Sequence, residues 1–388
     1  MNTTPSANAA PAAASKEKRM PQLDALRAFA VMGVMWFHWV PEYQFGLPWA
    51  SGVSLFFVLS GFLITGILFE ARSRTDSRWW SLRQFYARRI IRIWPIFYLT
   101  IGVGVLLNVH HVRDVWGWHA AYLTNFLTAL KHYRAGPFQH FWSLAVEEQF
   151  YICWPLIMLF IPRKRILPFI VLTIIASPIF RIYMVLQHPE IVFWHMLPFS
   201  CLDMLGIGAL LAYFAHFETV STAAADRTVA IFGWVGIPLS ILIGGYRVLR
   251  HGELPLVVDA LRSFAISLCF AWLVYNAAKG FRGPLGRLLE NKWLAAIGKI
   301  SYGLYVYHLF VPVMVDYVFA HTSLPEKYAS HPVILRVLMY AIITWIIAGL
   351  SWVIIERPVN SLKRFFPYAR KINKAAAPMA PQPAVDAV

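Results

Sequence analysis

The residues most able to do chemistry in this chain are an arginine and a histidine in its first strongly apolar stretch. Arg27 and His38 are separated by eleven positions. Eleven residues turn an α-helix by about 20° more than three full turns, so both side chains lie on one face, about 16 Å apart along the axis. A guanidinium binds anions and an imidazole titrates near neutral pH. Because ionisable residues inside a membrane are candidates for function, the pair indicates a site for a long molecule with negative charge at one end.

A second group of basic residues opens the third apolar run, between Phe85 and Pro95. Arg89 and Arg92 are i, i+3 neighbours on a helix, so their guanidinium groups can converge on one anion. Two interpretations of this pair are open. The arginines either anchor the helix to lipid headgroups or form a clamp for phosphate.

Three further apolar runs contain polar residues that lipid-facing helices avoid. The second run carries Ser60 among glycines that allow close helix packing. The fourth begins near Trp142 and contains the adjacent carboxylates Glu147 and Glu148, and the ninth contains His308. A lone serine is usually explained by helix packing. Burying an ionisable group is costly unless it is paired or lines a wet cavity, so a functional role is favoured for these.

The composition predicts what positions these residues. The chain has 388 residues, 59% of them hydrophobic and 14% charged, with a mean hydropathy of +0.55, whereas soluble domains carry about 25% charged residues. We therefore predict an all-α fold, a polytopic membrane bundle of about ten transmembrane helices. The apolar runs are 24–42, 50–70, 90–108, 143–161, 165–187, 196–215, 228–249, 256–278, 296–320 and 333–355. A shorter run, His119 to Leu130, is expected to lie at the interface or to re-enter.

The distribution of Lys and Arg predicts the orientation. With the N-terminus in the cytoplasm, 25 of the 35 basic residues fall on inside segments and 6 on outside segments. Both termini are therefore predicted to be cytoplasmic. The net charge of +16 then decorates mainly the inner surface, which favours anionic membrane lipid over nucleic acid as its partner. Residues 1–19 are expected to be a disordered N-terminus without a signal peptide, 20–366 the membrane domain, and 367–388 a tail.

The cysteines and the loop histidines show no metal-binding pattern. Cys153, Cys201 and Cys269 are dispersed within predicted spans, so we expect them to serve packing and no metal or disulfide framework. The histidines between the third and fourth spans lack the spacing of a catalytic zinc site and are predicted to be solvated or interfacial. They are His110, His111, His119, His132 and His140.

Taken in order, the motifs resemble a known family. They are Leu23-Asp24 with the Arg-x10-His pair, Phe56-Phe57-Val58-Leu59-Ser60-Gly61-Phe62, the Arg89/Arg92 pair, Trp142-Ser143-Leu144 with Glu147-Glu148-Gln149-Phe150-Tyr151, and Glu356-Arg357-Pro358. Over about residues 20–366 the chain closely resembles the membrane acyltransferase-3 family, of the O-antigen and exopolysaccharide acetylase type. Ala25 and Ala28 stand where many relatives have glycine. No extracellular SGNH hydrolase-like domain is expected after the last span.

The resemblance implies an enzyme of the bacterial cytoplasmic (inner) membrane. The enzyme would take an acyl group, expected to be acetyl, from cytoplasmic acyl-CoA. It would transfer this group to a hydroxyl of a cell-surface or exported polysaccharide or glycolipid, and no metal is implied. The implied catalytic residues are His38, Arg27, Ser60 and Glu147. The implied acetyl-CoA ligands are Arg88, Arg89 and Arg92, and the implied substrate-binding residues are Trp142, Glu148, Tyr151 and His308.

Elementary chemistry fits these roles. The flexible arm of coenzyme A is roughly 20 Å long, which is comparable with the ~16 Å between Arg27 and His38 along the helix. If Arg89 and Arg92 hold the phosphates, the arm can therefore bring its thioester near His38. His38 is then the expected general base. Arg27 would hold the arm or polarise the carbonyl, and Ser60 would donate to the oxyanion or carry the acyl group transiently. Glu42 is a candidate to orient His38, although Pro41 is expected to interrupt the helix between them.

Two alternatives remain open at this point. The acceptor could be a small molecule such as a macrolide, or a lipid. A transporter or flippase would also use buried charges, but the sequence shows no internal repeat and no paired broken helices at matching positions.

Overall fold

The computed structural model describes residues 20–41, 49–75, 77–217, 219–250, 254–322 and 333–368. Every regular element in these ranges is a helix, which confirms the predicted all-α membrane bundle. The α-helices are α1 (Pro21–Trp39), α2 (Gly52–Arg74), α3 (Arg78–Leu107), α4 (Trp116–Ala120), α5 (Thr124–Lys131), α6 (Phe141–Phe160), α7 (Arg163–Gln187), α8 (Leu202–His216), α9 (Thr222–Leu249), α10 (Leu256–Lys279), α11 (Gly283–Leu289), α12 (Lys292–Lys299), α13 (Ser301–Tyr307), α14 (Phe310–Ala320), α15 (Val333–Ser351) and α16 (Arg357–Ser361).

Seven helices in the described ranges are long and apolar enough to cross a membrane, and a bent pair raises the number to eight. The seven are α2, α3, α7, α8, α9, α10 and α15 with the turns that follow it. Two more predicted crossings fall on α1 and α6, which are 19 and 20 residues long and carry most of the candidate site residues. The count of about ten crossings therefore stays a prediction.

The predicted crossing over 296–320 is not one continuous helix. It is divided among α12, α13 and α14, and the chain bends by 46° between α13 and α14. Pro312 lies in the first turn of α14, where its missing N–H is tolerated, and it cannot donate to the carbonyl of His308 four residues earlier. The freed His308 carbonyl accepts a hydrogen bond from the Trp39 indole at 2.9 Å instead. The bend thus allows a hydrogen bond that holds the end of α1 against the end of α13.

Close packing around α2 forms the centre of the bundle. This helix packs most extensively against α8 and also contacts α1, α6 and α10. A Cβ added to Gly61 would lie 2.0 Å from the Leu205 carbonyl oxygen, and one added to Gly208 would lie 2.1 Å from the Val58 carbonyl oxygen. Only glycine allows these backbones to approach so closely, which confirms the packing role predicted for small residues in the second span.

Sequence features at the helix ends explain several boundaries. Pro21 occupies the first turn of α1, and the helix ends at Trp39 because Val40, which precedes Pro41, is disfavoured in helical conformation. Ser77 caps α3 by accepting from the Trp80 amide at 3.4 Å. The run His119 to Leu130 folds into parts of the short helices α4 and α5, so it does not form a full span.

A charged pair and the cysteines of the long helices differ in their burial. Arg181 is fully buried and forms an ion pair with Asp203, whose other carboxylate oxygen accepts from Ser177. Cys201 is buried as expected, but Cys153 is exposed on α6, so it does not serve core packing. Its exposure follows from the helical register, because neighbouring Trp154 faces the core.

Candidate active site

Three arginines from two helices converge at one end of the site, called here the arginine end. Arg27 on α1 and Arg89 on α3 both interact electrostatically with Arg92. Arg27 is also paired with Asp24 at 2.7 Å, one turn earlier on α1. Like charges repel, so a cluster of three guanidinium groups is most stable when an anion lies among them.

Carboxylates from two other elements face this cluster. Glu147 on α6 interacts with Arg89 and Arg92, and Glu148 interacts with Arg89. Glu356 is buried and interacts with Arg92, and its carboxylate accepts from Ser351 at 3.5 Å. Glu356 ends a π-helical turn, Trp352–Glu356, a local distortion that is frequent at functional sites.

Accessible surface remains at the arginine end within the bundle. Arg92 is surrounded by protein, yet its side chain keeps exposed surface, and Glu147 is only half-buried. Groups with many protein neighbours and remaining exposed surface line a recess. Charged residues at membrane depth are stable where such a recess is filled with water.

A hydroxyl pair lies beside Glu147. The oxygens of Ser60 and Tyr151 are 2.5 Å apart, and both hydroxyls lie next to the Glu147 carboxylate. The Arg89 guanidinium lies 5.7 Å from the centre of the Tyr151 ring. Ser60, Tyr151 and Glu147 thus form one polar group between α2 and α6, next to the arginine end.

His38, at the other end of α1, makes contacts that define its tautomer. His308 Nδ1 lies 2.6 Å from the Tyr305 carbonyl, which can only accept, so Nδ1 of His308 carries the proton and its Nε2 is an acceptor. That Nε2 lies 3.1 Å from His38 Nδ1, which also lies 2.9 Å from the Val34 carbonyl. His38 Nδ1 is therefore the donor to both acceptors. The remaining nitrogen, Nε2 of His38, carries the lone pair that a general base needs.

Buried polar groups hold His308 in place. The centre of its ring lies 4.7 Å from that of His140, whose Nε2 donates to the Val306 carbonyl at 3.1 Å. The Tyr305 hydroxyl bonds Ser143 at 2.5 Å, and this connects α13 to α6. His308 and His140 are almost fully buried, whereas His38 keeps part of its surface. His38 is therefore the histidine of this group that a substrate can reach.

The structure brings most of the predicted site residues together, with two exceptions in placement. Arg88 donates to the carbonyls of Lys363 and Phe366 at 3.3 Å each, so it is not part of the arginine cluster. The reason is the helical register, which points Arg88 about 100° away from Arg89. His308, predicted to bind substrate, lies behind His38 and has no exposed surface. Glu42, the candidate to orient His38, lies outside the described residues.

The remaining predicted residues lie around these two groups. Glu148 is buried, and its Oε1 atom has no hydrogen-bond partner within the described ranges. Trp142 is half-buried at the start of α6, where its ring meets Phe57 edge-on at 6.1 Å between centres. Trp142 thus lies near the histidine end of the site, one residue from Ser143.

Two buried histidines were not expected from the sequence, and one of them, His140, packs against His308. Two of the histidines predicted to be solvated or interfacial, His119 and His140, are buried. Burial lowers the pKa of the His119 imidazole in the short helix α4 to about 4. The aromatic residues around both rings were an available signal, because Phe138 stacks on His119 and Phe141 meets His140 edge-on. Among the described residues no group of three or more His, Cys, Asp or Glu side chains is arranged to hold a metal ion.

The helical membrane bundle thus joins a cluster of three arginines to a histidine that keeps part of its surface exposed. Comparison with known families identifies the class of protein. Residues 20–356 match a family described as an acyltransferase domain. The chain belongs to this membrane acyltransferase-3 family, as the motifs predicted.

Named bacterial relatives support the family assignment. The chain is 28% identical over 375 residues to the peptidoglycan O-acetyltransferase OatA of Listeria monocytogenes, covering 88% of this chain and 56% of that protein. It is 25% identical over 378 residues to the O-acetyltransferase OatA of Staphylococcus aureus, covering 88% and 57%. Identity to YrhL of Bacillus subtilis is 28% over 388 residues, covering 91% and 56%. The chain thus spans just over half the length of these relatives. No solved structure matches the chain significantly.

Proposed function

We propose that this protein is a membrane O-acetyltransferase that takes an acetyl group from cytoplasmic acetyl-CoA and transfers it to a hydroxyl of a cell-wall polysaccharide. Peptidoglycan is the first acceptor to test, because it appears in the names of the relatives from Listeria and Bacillus. One observation carries the proposal: α1 joins a cluster of three guanidinium groups to an accessible histidine whose Nε2 is free to act as a base.

The donor site follows from the charge. Coenzyme A carries several phosphates at one end and the reactive thioester at the other. Arg27, Arg89 and Arg92 bind the phosphates, because arginine recognises phosphate through forked hydrogen bonds. The helix places His38 about 16 Å further along the same face of α1, within reach of the extended arm. The excess of basic residues on the inside segments favours the cytoplasm for the arginine end.

The transfer step uses His38 as general base. Its Nε2 takes the proton of the acceptor hydroxyl as the hydroxyl oxygen attacks the thioester carbonyl carbon. The tetrahedral intermediate collapses with cleavage of the carbon–sulfur bond, and the imidazolium returns the proton to the departing thiolate. Products are the O-acetyl ester and free coenzyme A. During the step the His38 Nδ1–H remains bonded to His308 and Val34, which stabilises the transient positive charge.

Ser60, Tyr151 and Glu147 supply the polar group nearest the arginine end. A hydroxyl donor beside the thioester would stabilise the developing oxyanion, and Ser60 is the donor we assign to this role. Glu147 holds the hydroxyl pair in one orientation and balances the charge of Arg89 and Arg92. Transient acylation of Ser60 is the alternative within the same proposal, and trapping of a labelled acyl-enzyme would distinguish the two routes.

Sealed, right-side-out vesicles test the arrangement. Labelled acetyl-CoA trapped inside is expected to acetylate a polysaccharide acceptor supplied outside, whereas donor supplied only outside is not. The His38→Ala variant in matched vesicles is the inactive control. Equal transfer from external donor would contradict the two-sided arrangement. Accumulation of a labelled solute without ester formation would support a transporter and refute the proposed enzyme.

A further inference from the structure

A second group of aromatic and charged side chains lies near the histidine end of the site, and no catalytic role accounts for it. It is formed by Trp142, His195, Asp259 and Arg262, and we call it the vestibule. The rings of Trp142 and His195 meet nearly perpendicularly, with centres 6.2 Å apart. His195 also interacts electrostatically with Asp259 and Arg262, which pair with each other at 3.0 Å on the first turns of α10.

The vestibule residues present binding groups to solvent. His195 is exposed although protein surrounds it, which places it on the wall of a recess. The surrounding protein lowers the pKa of its imidazole below the usual value, so the ring is neutral near pH 7. Within the described ranges neither the ring nitrogens of His195 nor the indole N–H of Trp142 makes a hydrogen bond. These donors and acceptors are available to a ligand.

Adjacent residues connect the vestibule to the catalytic group. On α2, Phe56 contacts Tyr305 with ring centres 5.9 Å apart, and neighbouring Phe57 contacts Trp142. On α6, Ser143 bonds the Tyr305 hydroxyl, and neighbouring Trp142 contacts His195. Neighbours on a helix are about 100° apart, so the two rows face adjoining spaces. Consecutive residues of α2 and of α6 therefore contact both the vestibule and the residues around His38.

This combination fits a sugar. Aromatic rings cover the apolar C–H face of a pyranose, and a few fixed polar groups then select its hydroxyl and amide positions. Asp259 accepts hydrogen bonds, Arg262 donates them, and neutral His195 does both. The Arg262 guanidinium, 3.0 Å from the Asp259 carboxylate, disfavours a metal at this carboxylate.

We propose that the vestibule is a subsite for a sugar of the acceptor glycan, next to the sugar that receives the acetyl group. This inference rests on the proposed function for its substrate class. It adds His195, Asp259 and Arg262 as residues that bind the acceptor, and it implies that a glycan of two or more sugars is a better acceptor than a monosaccharide.

Direct binding tests the subsite without catalysis. Purified protein in nanodiscs is titrated calorimetrically with a β-1,4-linked tetramer of N-acetylglucosamine. His195→Ala and Asp259→Asn are each expected to raise the Kd about threefold to tenfold, the effect of one or two lost hydrogen bonds. His195→Phe keeps an aromatic ring and should lie between wild type and His195→Ala. His188→Ala and Glu190→Gln are matched controls, because this exposed pair, 3.1 Å apart, lies in the same connection between α7 and α8.

Kinetics provide the second readout. In acetyl transfer the vestibule variants should raise KM for the glycan and leave KM for acetyl-CoA unchanged. Wild-type protein that fails to bind the tetramer, or vestibule variants that bind it as wild type does, would overturn the subsite. Normal tetramer binding by a wild-type protein that acetylates no polysaccharide would instead refute the proposed function and leave the subsite standing.

Discussion

Replacing His308 by phenylalanine tests how the site prepares His38 for catalysis. The change keeps a ring of similar size in a fully buried position and removes the Nε2 acceptor, which lies 3.1 Å from His38 Nδ1. We expect His308→Phe to lower kcat for acetyl transfer and to leave KM for acetyl-CoA within about twofold of wild type. The reason is that His308 touches the base and not the donor's phosphates, so it acts as a positioning residue.

The size of the effect follows from the contact. When His38 takes the acceptor's proton, its Nδ1–H becomes a charged donor, and a hydrogen bond to a charged group contributes about 1.5–3 kcal/mol. At about 1.4 kcal/mol per factor of ten, loss of the acceptor lowers kcat roughly 10- to 150-fold. The Val34 carbonyl still accepts from the same nitrogen at 2.9 Å, so we expect a value in the lower half of this range.

The assay measures kcat and KM separately with labelled acetyl-CoA and protein reconstituted in liposomes. His308→Gln offers an amide oxygen to His38 and should recover part of the lost rate. His119→Phe is the matched control, because His119 is also fully buried but bonds Thr124 on α5, away from His38. That control should lose thermal stability and keep kcat.

Two results would refute the reasoning. A folded His308→Phe protein with kcat within twofold of wild type would show that His38 needs no acceptor from His308. A raised KM for the polysaccharide with unchanged kcat would support the substrate-binding role that the sequence predicted for His308.

Three further predictions concern the base, the donor site and the packing of the bundle. His38→Ala should lower kcat about 10²- to 10⁴-fold at equal expression, the usual contribution of a general base, and activity within a few-fold of wild type would contradict its role. The variants Arg89→Ala and Arg92→Ala should each raise KM for acetyl-CoA with little change in kcat. Lysine at either position should restore the affinity for acetyl-CoA only partly, because it lacks the forked geometry of arginine. An unchanged KM would instead support a lipid-anchoring role for both residues. Gly61→Ala should destabilise the protein by about 1–3 kcal/mol, because the added Cβ would lie 2.0 Å from the Leu205 carbonyl oxygen. An unaltered melting temperature in nanodiscs would argue against this close packing of α2 on α8.

The sequence was sufficient for those features of the site that depend on helical periodicity. An eleven-residue interval places Arg27 and His38 on one face of any α-helix, and a three-residue interval does the same for Arg89 and Arg92. The apolar runs likewise predicted where the long helices lie, because a membrane requires continuous hydrophobic stretches whose backbone groups bond internally. The crossing predicted at 296–320 stays a prediction, but the sequence did not reveal its bend, which occurs where the composition stays apolar and Pro312 leaves the His308 carbonyl free.

Only the tertiary structure decided which residues from distant helices meet. His140 and His308 lie far from His38 in the sequence, yet all three rings form one group. No periodicity within a helix specifies such a contact. It depends on how α1, α6 and α13 pack together and on the Trp39 bond to the carbonyl that Pro312 frees. The tautomer of His38 is likewise a tertiary property, because the proton on its Nδ1 is fixed by an acceptor 270 residues away along the chain.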